Sequence, residues 1–378
     1  MRARGAGDKA QDLDGQAARF CTFGSKGRSH FMRSRHTTEK ETDTLIFPMK
    51  PQQLHSRTIL GLDIGGTKTA CVEGTGDGEI VQRIEMSTHA AMPFAEVFPE
   101  IVRHLETLLA NAGHAGREPV ALSVSIGGPL RIRDGFLINP PHLPGWHDVP
   151  LKARLSEVFP RIPVFVEHDG NAGALAEFCF GVGKGRTDLE HLIFLTFGTG
   201  IGAGLIVNGK ILRGATDTAG EVGHWRLADD GPLGFGKRGS WESFASGAGL
   251  VELAAEMYPE RWSVQSSISA LVEAMLEDDR EALRVAEAAG HWMGRGLALL
   301  IDALNPQVIV FGSLGVVLGE RIFAPARKIV AAEALPQAVA ACELLPSALG
   351  KKIGDIASLM AALNERTVQD VLSGGSAC

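Results

Sequence analysis

Residues 62–69 read Leu-Asp-Ile-Gly-Gly-Thr-Lys-Thr, and residues 195–202, far downstream, read Leu-Thr-Phe-Gly-Thr-Gly-Ile-Gly. In both stretches an apolar strand leads into a turn of glycine and threonine. Glycines let backbone N–H groups approach anionic oxygens closely, and the threonine hydroxyl adds a side-chain donor. Two such turns predict that one phosphate chain is held from both sides.

The order of residues in the first turn separates it from two commoner phosphate loops. Thr67 precedes Lys68, which does not fit the Walker pattern, and no Gly-x-Gly-x-x-Gly opens a helix here. Asp63 lies just before the turn, where a carboxylate could hold Mg²⁺ directly or through water. A lysine after a phosphate turn is usually a solvated surface charge, so we assign Lys68 no part in catalysis.

The composition is that of an ordinary globular protein that is long enough for two domains. The chain has 378 residues and a formal net charge of −7. It has no basic stripe that would indicate nucleic-acid binding, and apolar runs such as residues 297–300 are too short to span a bilayer. The five cysteines show no paired spacing, which is typical of a reducing cytosol. We therefore predict a cytoplasmic protein that binds a small molecule and neither nucleic acid nor membrane.

The first 57 residues differ in character from the rest. They carry 11 basic and 6 acidic residues and show no sustained apolar periodicity. We interpret them as disordered or absent from the native product, because Met49 lies ten residues before the first predicted strand. A DNA-binding arm is the alternative, and the lack of amphipathic helical periodicity argues against it.

The order of predicted elements indicates two α/β domains of related build. A small domain at residues 58–167 would be joined by a C-terminal helix at about 354–372, and a large domain would span residues 168–353. The patterns predict strands from 58, at 70–73, from 80, and at 120–126, 164–167, 192–197, 202–207 and 308–311. They predict helices at 93–112, 171–178 and 356–363, with long helical stretches between 247 and 304.

Five further motifs occur between and after the two glycine turns. They are Gly-Gly-Pro at 127–129, Pro-His-Leu-Pro-Gly-Trp at 141–146, Glu-His-Asp-Gly-Asn-Ala at 167–172, Gly-Glu-Val-Gly-His at 220–224 and Asn-Pro-Gln-Val-Ile-Val-Phe-Gly at 305–312. With these motifs, residues 59–363 resemble the ROK (repressor, ORF, kinase) family. The resemblance implies a two-domain actin-like ATPase (ribonuclease H-like) fold with a cleft between the domains. It also implies a homodimer that uses ATP and Mg²⁺ to phosphorylate a sugar.

The resemblance assigns a role to each motif. Asp169 occupies the position of the general base that accepts the proton of the sugar hydroxyl. From position alone, Asp169 would fit a helix N-cap equally well, and the family context favours the base. The residues implied for ATP are Asp63, Gly65, Gly66, Thr67, Lys68, Gly198, Thr199, Gly200, Gly312 and Ser313. The residues implied for the sugar are Gly128, His168, Asp169, Glu221, His224 and Glu242.

Some of these residues have simpler interpretations when they are taken alone. His224 would pass for a structural histidine, and Glu242 for a carboxylate at a helix N-terminus near Ser240. His142 and His168 stand where the family usually has asparagine, and His142 is expected to line a loop without reaching the ligand. Contact of His168 with the sugar would alter the preference among hydroxyls, because histidine presents its donor and acceptor farther apart than asparagine does.

The clearest departure from the family lies at residues 233–242, Leu-Gly-Phe-Gly-Lys-Arg-Gly-Ser-Trp-Glu. Most members carry Cys-x-Cys-Gly-x-x-Gly-Cys-x-Glu here, and the three thiolates bind Zn²⁺ together with the histidine that corresponds to His224. None of the three cysteines is present, so we predict no zinc site. We expect Leu233, Phe235 and Trp241 to replace the metal crosslink by apolar packing.

Three functional alternatives follow from the resemblance. The first is a hexose kinase that acts on the 6-hydroxyl of glucose. The second is a kinase for N-acetylmannosamine, N-acetylglucosamine, fructose or allose. The third is a sugar-responsive regulator without catalysis. The intact Asp169 and the two phosphate turns favour a kinase, whereas the lost zinc motif and the two histidine substitutions favour a regulator.

Overall fold

The computed structural model describes residues 56–234 and 236–373. Most of the predicted N-terminal extension therefore lies outside the described residues, as does Phe235. Within the described part, no helix is long and apolar enough to cross a membrane.

The strands follow one another in two groups along the chain. In order they are β1 (Arg57–Ile64), β2 (Lys68–Gly74), β3 (Ile80–Ser87), β4 (Glu118–Ile126), β5 (Leu130–Arg131), β6 (Phe136–Leu137), β7 (Val164–His168), β8 (Leu192–Phe197), β9 (Ile201–Val207), β10 (Lys210–Ile211), β11 (Leu233–Gly234), β12 (Lys237–Arg238), β13 (Val308–Phe311) and β14 (Glu343–Pro346).

The helices connect and cover these strands. They are α1 (Phe94–His114), α2 (Leu151–Val158), α3 (Asp169–Phe180), α4 (Trp241–Ala245), α5 (Gly247–Met257), α6 (Ile268–Leu276), α7 (Arg280–Leu304), α8 (Leu314–Leu318), α9 (Glu320–Glu333), α10 (Pro336–Ala341), α11 (Ile353–Leu363) and α12 (Arg366–Leu372). Two short 3₁₀ helices occupy Val222–His224 and Gly350–Lys352.

Two five-stranded sheets share one topology. The first has the order β3-β2-β1-β4-β7 and the second β10-β9-β8-β13-β14. In each sheet the first three strands along the chain form an antiparallel meander; the fourth pairs in parallel with the first, and the fifth pairs in parallel with the fourth. This repetition confirms the prediction of two α/β units of related build.

Both faces of the central strand β4 are covered. Leu122, Val124 and Ile126 point into a core shared with α1 and α2. On the opposite face Ala121 packs with α3 and α11, and the Ser123 hydroxyl accepts a hydrogen bond of 3.2 Å from the backbone N–H of Ala362. A strand that is buried on both faces reads as a nearly continuous apolar run, which is why the sequence pattern located β4.

Helix α3 packs between the two sheets. Ala172 and Ala176 contact the first sheet together with α11, whereas Ala174 joins a core with the second sheet. The approach to β9 is close, since a Cβ atom on Gly204 would lie 2.0 Å from the carbonyl oxygen of Gly170. Small residues in α3 therefore hold its N-terminus against both sheets.

Candidate active site

Asp169 is the first residue of α3, directly after the end of β7. The N-cap is His168, whose Nδ1 accepts a hydrogen bond of 3.2 Å from the backbone N–H of Gly170. Asp169 Oδ1 accepts from the same N–H at 2.7 Å, and 46% of its side chain is exposed. The interpretation of Asp169 as the N-cap is therefore wrong, because the preceding histidine fills that position and leaves the Asp169 carboxylate accessible.

A small pocket joins Asp169 to the first glycine turn. Gly65, Gly66, Gly128 and His142 line it together with the carboxylate. The backbone of His142 lies against the turn, since a Cβ atom on Gly66 would be 3.0 Å from the His142 carbonyl oxygen. His142 thus borders the pocket that contains Asp169 as well as forming part of a loop.

Asp63, at the end of β1, has an unusual electrostatic environment. Burial raises the pKa of Asp63 to about 7, and the nearby charge of Asp169 contributes to the rise, while a hydrogen bond with Ser125 opposes it. The start of α11 lies close by, because a Cβ atom on Gly354 would be 2.5 Å from Asp63 Oδ2. A cation bound near these two carboxylates would relieve the repulsion between their negative charges.

The residues present fit Mg²⁺ that arrives with a phosphate chain. Within the described ranges, no group of three or more ligating side chains could hold a metal ion by itself. Mg²⁺ typically binds through one or two carboxylates, several waters and the phosphates of a substrate. Asp63, with Asp169 opposite, meets the protein's share of that requirement.

The first turn is braced by Thr88, which comes directly after β3. Thr88 donates through its hydroxyl to the Gly65 carbonyl at 2.7 Å, and through its backbone N–H to the Thr67 carbonyl at 3.0 Å. Gly65, Gly66 and Thr67 are exposed. The Lys68 ammonium pairs with Glu85 at 2.7 Å, and the lysine side chain is 67% exposed. Lys68 is therefore a surface charge.

The second turn rests on the N-terminus of α5. The carbonyls of Gly198 and Thr199 accept hydrogen bonds from the backbone N–H groups of Gly247 and Ala248, at 2.8 and 3.2 Å. Gly198 also donates its N–H to the Gly200 carbonyl at 3.1 Å. The helix start therefore holds the turn in one conformation.

Gly312 and Ser313 follow β13, which runs parallel to β8 and ends at the same edge of the second sheet as the second glycine turn. The Gly312 N–H donates to the Leu195 carbonyl at 3.0 Å, and Ser313 has φ +41° and ψ −106°. The next residue, Leu314, reaches the start of α5, because a Cβ atom on Gly247 would lie 3.2 Å from its Cδ1. These residues and the second glycine turn thus meet at one helix terminus.

Three of the predicted sugar residues converge beside Asp169. His168 Nε2 lies 3.8 Å from Glu221 Oε1, and a Cβ atom on Gly128 would be 3.1 Å from the same nitrogen. Glu242 Oε2 accepts a hydrogen bond of 2.8 Å from the Ile201 N–H, directly after the second turn. Burial raises the pKa of Glu242, and the charge of Glu221 adds to this effect. Asp169, His168 and Glu221 therefore form one cluster, and Glu242 lies near enough to Glu221 to feel its charge while it bonds the residue after the second turn.

His224 ends the 3₁₀ helix that follows Glu221. The backbone of this helix packs against Glu242, since a Cβ atom on Gly223 would lie 3.3 Å from Glu242 Cβ. The predicted sugar residues on these two segments are thus neighbours in space.

The loop that has lost the family's cysteines is held together by a tryptophan pair. Trp225 and Trp241 stack with ring centroids 5.9 Å apart, and the backbone N–H of Trp241 donates to the backbone carbonyl of Trp225 at 2.7 Å. Trp241 is fully buried, as expected. The expectation for Leu233 is wrong, because 66% of this residue is exposed at a hairpin. Its cross-strand partner in the hairpin, Arg238, is also exposed.

Several side chains at the site carried no sequence signal that was recognised. Ser125 bonds the Asp63 carboxylate, Thr88 braces the first turn, and Arg213 pairs with Glu167. Ser125 could have been noticed as a polar residue in an apolar strand. Thr88 and Arg213 act across 20 residues or more of chain, and no local motif announces them.

The chain is similar to both kinases and repressors. Residues 59–364 match the ROK family. A glucokinase of Halalkalibacterium halodurans is 31% identical over 317 residues, which are 80% of this chain and 94% of that protein. A xylose repressor of Bacillus subtilis is 26% identical over 295 residues, which are 77% of this chain and 73% of the repressor.

Solved structures show the same architecture. A ROK family glucokinase from Streptomyces griseus, in complex with glucose and AMPPNP, has a TM-score of 0.65 and 29% identity, and the match covers 82% of this chain and 100% of that one. A ROK hexokinase from Thermus thermophilus has the same score and identity, with 80% and 97% covered. The chain therefore belongs to the ROK family and has the actin-like ATPase fold that its sequence predicted.

Proposed function

We propose that this protein is an ATP- and Mg²⁺-dependent sugar kinase that transfers the γ-phosphate to a hexose hydroxyl, the 6-hydroxyl of glucose in the first instance. The observation that carries the proposal is the position of Asp169. Its accessible carboxylate lies between the first glycine turn and the cluster of His168 and Glu221. A phosphate chain on one side and a sugar on the other would thus meet at a base.

In this mechanism Asp169 accepts a proton from the sugar hydroxyl as that oxygen attacks the γ-phosphorus. The bond from phosphorus to the bridging oxygen breaks, and ADP leaves with the electron pair. Bound Mg²⁺ would neutralise charge on the phosphates and relieve the repulsion between Asp63 and Asp169. Asp63 would hold the ion, and Ser125 orients the Asp63 carboxylate.

The remaining residues would bind and orient the two substrates. We assign the phosphates to Gly65, Gly66, Thr67, Gly198, Thr199 and Gly200, and the nucleoside to Gly312 and Ser313. Glu221, His224, Glu242 and His168 would pair the sugar hydroxyls, which are costly to bury without partners. Gly128 would let the sugar lie against the backbone. Lys68 is engaged with Glu85 and is given no catalytic part.

The similarity to glucokinases supports this assignment. One relative with that name is matched over 94% of its length, and another was solved with glucose and an ATP analogue. We also propose domains at 58–167, with the C-terminal helix at about 354–372, and at 168–353. A homodimer in the cytoplasm completes the proposal.

A sugar-responsive regulator is the second candidate. Xylose repressors of Bacillus subtilis and of Caldicellulosiruptor bescii are 26% and 27% identical to this chain, so similarity alone does not separate the two functions. A regulator would bind sugar without turnover. Kinases for N-acetylmannosamine, N-acetylglucosamine, fructose or allose differ from a glucokinase only in the sugar that supports turnover.

The test is sugar-dependent ADP release by the full-length protein with Mg-ATP and a panel of these sugars. We expect turnover with glucose, and a loss of about 100-fold or more in Asp169→Asn, because a positioned base contributes roughly 10²- to 10⁴-fold. Asp278→Asn is the control, since this aspartate is 73% exposed and pairs with Arg321 instead. Turnover that survives in Asp169→Asn would contradict the proposed base. Sugar binding without turnover in the wild type would favour the regulator.

A further inference from the structure

Glu167, the residue before His168, is a buried carboxylate with no part in the proposed reaction. Its Oε1 accepts a hydrogen bond of 3.1 Å from the His168 backbone N–H and one of 2.9 Å from the side-chain amide of Asn171. These two donors lie on either side of Asp169 in the chain. Glu167 therefore fixes the first turn of α3, on which Asp169 is mounted.

The other oxygen of Glu167 is bound by Arg213. The Arg213 Nη2 donates to Glu167 Oε2, and the arginine side chain is 34% exposed while that of the glutamate is 2% exposed. Removing one partner of a buried ion pair is strongly destabilising, because the other charge is left without a partner. Glu167 lies in β7, an edge strand of the first sheet, and Arg213 comes shortly after β10, an edge strand of the second. This ion pair therefore joins the two sheets beside the site.

Arg213 also begins the loop that delivers Glu221. The Arg213 carbonyl accepts a hydrogen bond of 3.0 Å from the Ala219 N–H, which closes the loop on itself. Gly220 then accepts from the Ala203 N–H at 2.9 Å, and Glu221 follows directly. One arginine is thus bound to the α3 start through its side chain and to the Glu221 loop through its backbone.

A second contact ties the middle of this loop to the first sheet's side of the site. Asp217 Oδ2 accepts a hydrogen bond of 3.2 Å from the Ile132 backbone N–H, in the hairpin that follows Gly128. The loop is therefore fastened at two points to the elements that carry Gly128 and Asp169.

We infer that Arg213 is a positioning residue which, through Glu167, sets Glu221 against His168 and Asp169 so that one sugar hydroxyl points at the base. The inference rests on the proposed function. Displacement of a substrate by about 1 Å can cost on the order of 10²-fold in rate, so a residue that touches neither substrate can control turnover.

The experiment compares Arg213→Gln, Arg213→Lys and the double variant Glu167→Gln/Arg213→Gln with the full-length wild type. The double variant leaves no unpaired buried charge, so it separates positioning from misfolding. Arg186→Gln is the matched control, because Arg186 pairs with Glu343 at 2.8 Å and is 30% exposed. Steady-state kinetics give kcat and both KM values, and calorimetry gives the sugar dissociation constant.

We expect Arg213→Gln and the double variant to lower kcat by roughly 10- to 100-fold and to weaken sugar binding about 10-fold. The KM for ATP should not change, Arg213→Lys should recover most of the loss, and Arg186→Gln should behave as wild type. A folded double variant with wild-type kcat and sugar affinity would overturn the inference and leave the kinase proposal intact. A wild type that binds sugar without turnover would overturn the kinase proposal, and sugar affinity in Arg213→Gln would then decide the inference. A wild type that binds no sugar would overturn both.

Discussion

Asp63 and Asp169 illustrate, at the scale of single residues, how a site can be built at the expense of stability. Burial and the neighbouring carboxylate raise the pKa of Asp63 from 3.8 to about 7. The folded state therefore binds more protons than the unfolded chain between these two pH values. Stability is expected to fall as the pH rises through this window, until a cation binds at the site.

Asp63→Asn tests this account, because the amide cannot ionise. With divalent cations chelated, the variant should unfold at nearly the same urea concentration as wild type at pH 4, and at a higher one at pH 8. The difference in unfolding free energy at pH 8 is at most roughly 4 kcal/mol, the value of the pKa difference. Asp278→Asn is the control, since its aspartate is 73% exposed. Parallel pH profiles for Asp63→Asn and wild type would rule out the raised pKa.

Among the structural elements, the loop that begins at Trp225 is anchored at its other end by the buried Trp241. Trp241 is buried against α7, where Gly296 leaves room for the indole; a Cβ atom at Gly296 would lie 2.0 Å from the ring. The stacked Trp225 covers its other face. The indole is thus packed on both faces, and we expect this packing to hold the loop without a bound ion.

Gly296→Ala should therefore destabilise the protein by about 1–3 kcal/mol, because the added methyl group overpacks a rigid ring in the core. Gly113→Ala in α1 is the control: nothing lies within 4 Å of its added Cβ atom, and alanine favours helix, so stability should rise by about 0.5–1 kcal/mol. Urea unfolding measures both. A zinc-selective chelator, added with Mg²⁺ kept present, should leave the midpoint of wild type unchanged. Equal effects of the two substitutions, or a fall in the midpoint with chelator, would contradict this account.

The elements themselves were largely predictable from sequence, because their signals are local. The apolar runs located β4 and β13 to within two residues, and the glycine turns marked the ends of β1 and β8. The contacts of the site were less predictable. Arg213 and Glu167 lie 46 residues apart, so no local pattern pairs them. Leu233 was predicted to pack because it is apolar, but it lies in a hairpin where it is exposed. His168 as N-cap was missed because aspartate is the commoner capping residue.

On the scale of the whole molecule, the chain crosses between the two sheets a second time after β14, and Glu177 braces that crossing. This buried glutamate in α3 accepts hydrogen bonds from the Ser347 hydroxyl and from the backbone N–H groups of Ala348 and Leu349, the latter two at 3.3 and 3.2 Å. Asp169 begins the same helix. The first crossing is α3 itself, and the second is the segment after β14 that Glu177 holds. If the two sheets close around a sugar, both crossings must accommodate the movement, and α3 takes part in each.

Glu177→Gln keeps the shape of the side chain and replaces one acceptor by a donor that faces other donors. Stability should fall by about 1–3 kcal/mol, since buried N–H groups lose their acceptor. Because residues at a hinge affect binding and turnover together, we expect kcat and the sugar KM both to change. Urea unfolding and sugar-dependent ADP release measure the two effects. Glu343→Gln in β14 is the control, because its side chain is 53% exposed and it should shift stability by no more than about 0.5 kcal/mol. A Glu177→Gln variant with lowered stability and wild-type kinetics would show that this carboxylate braces the fold without taking part in closure.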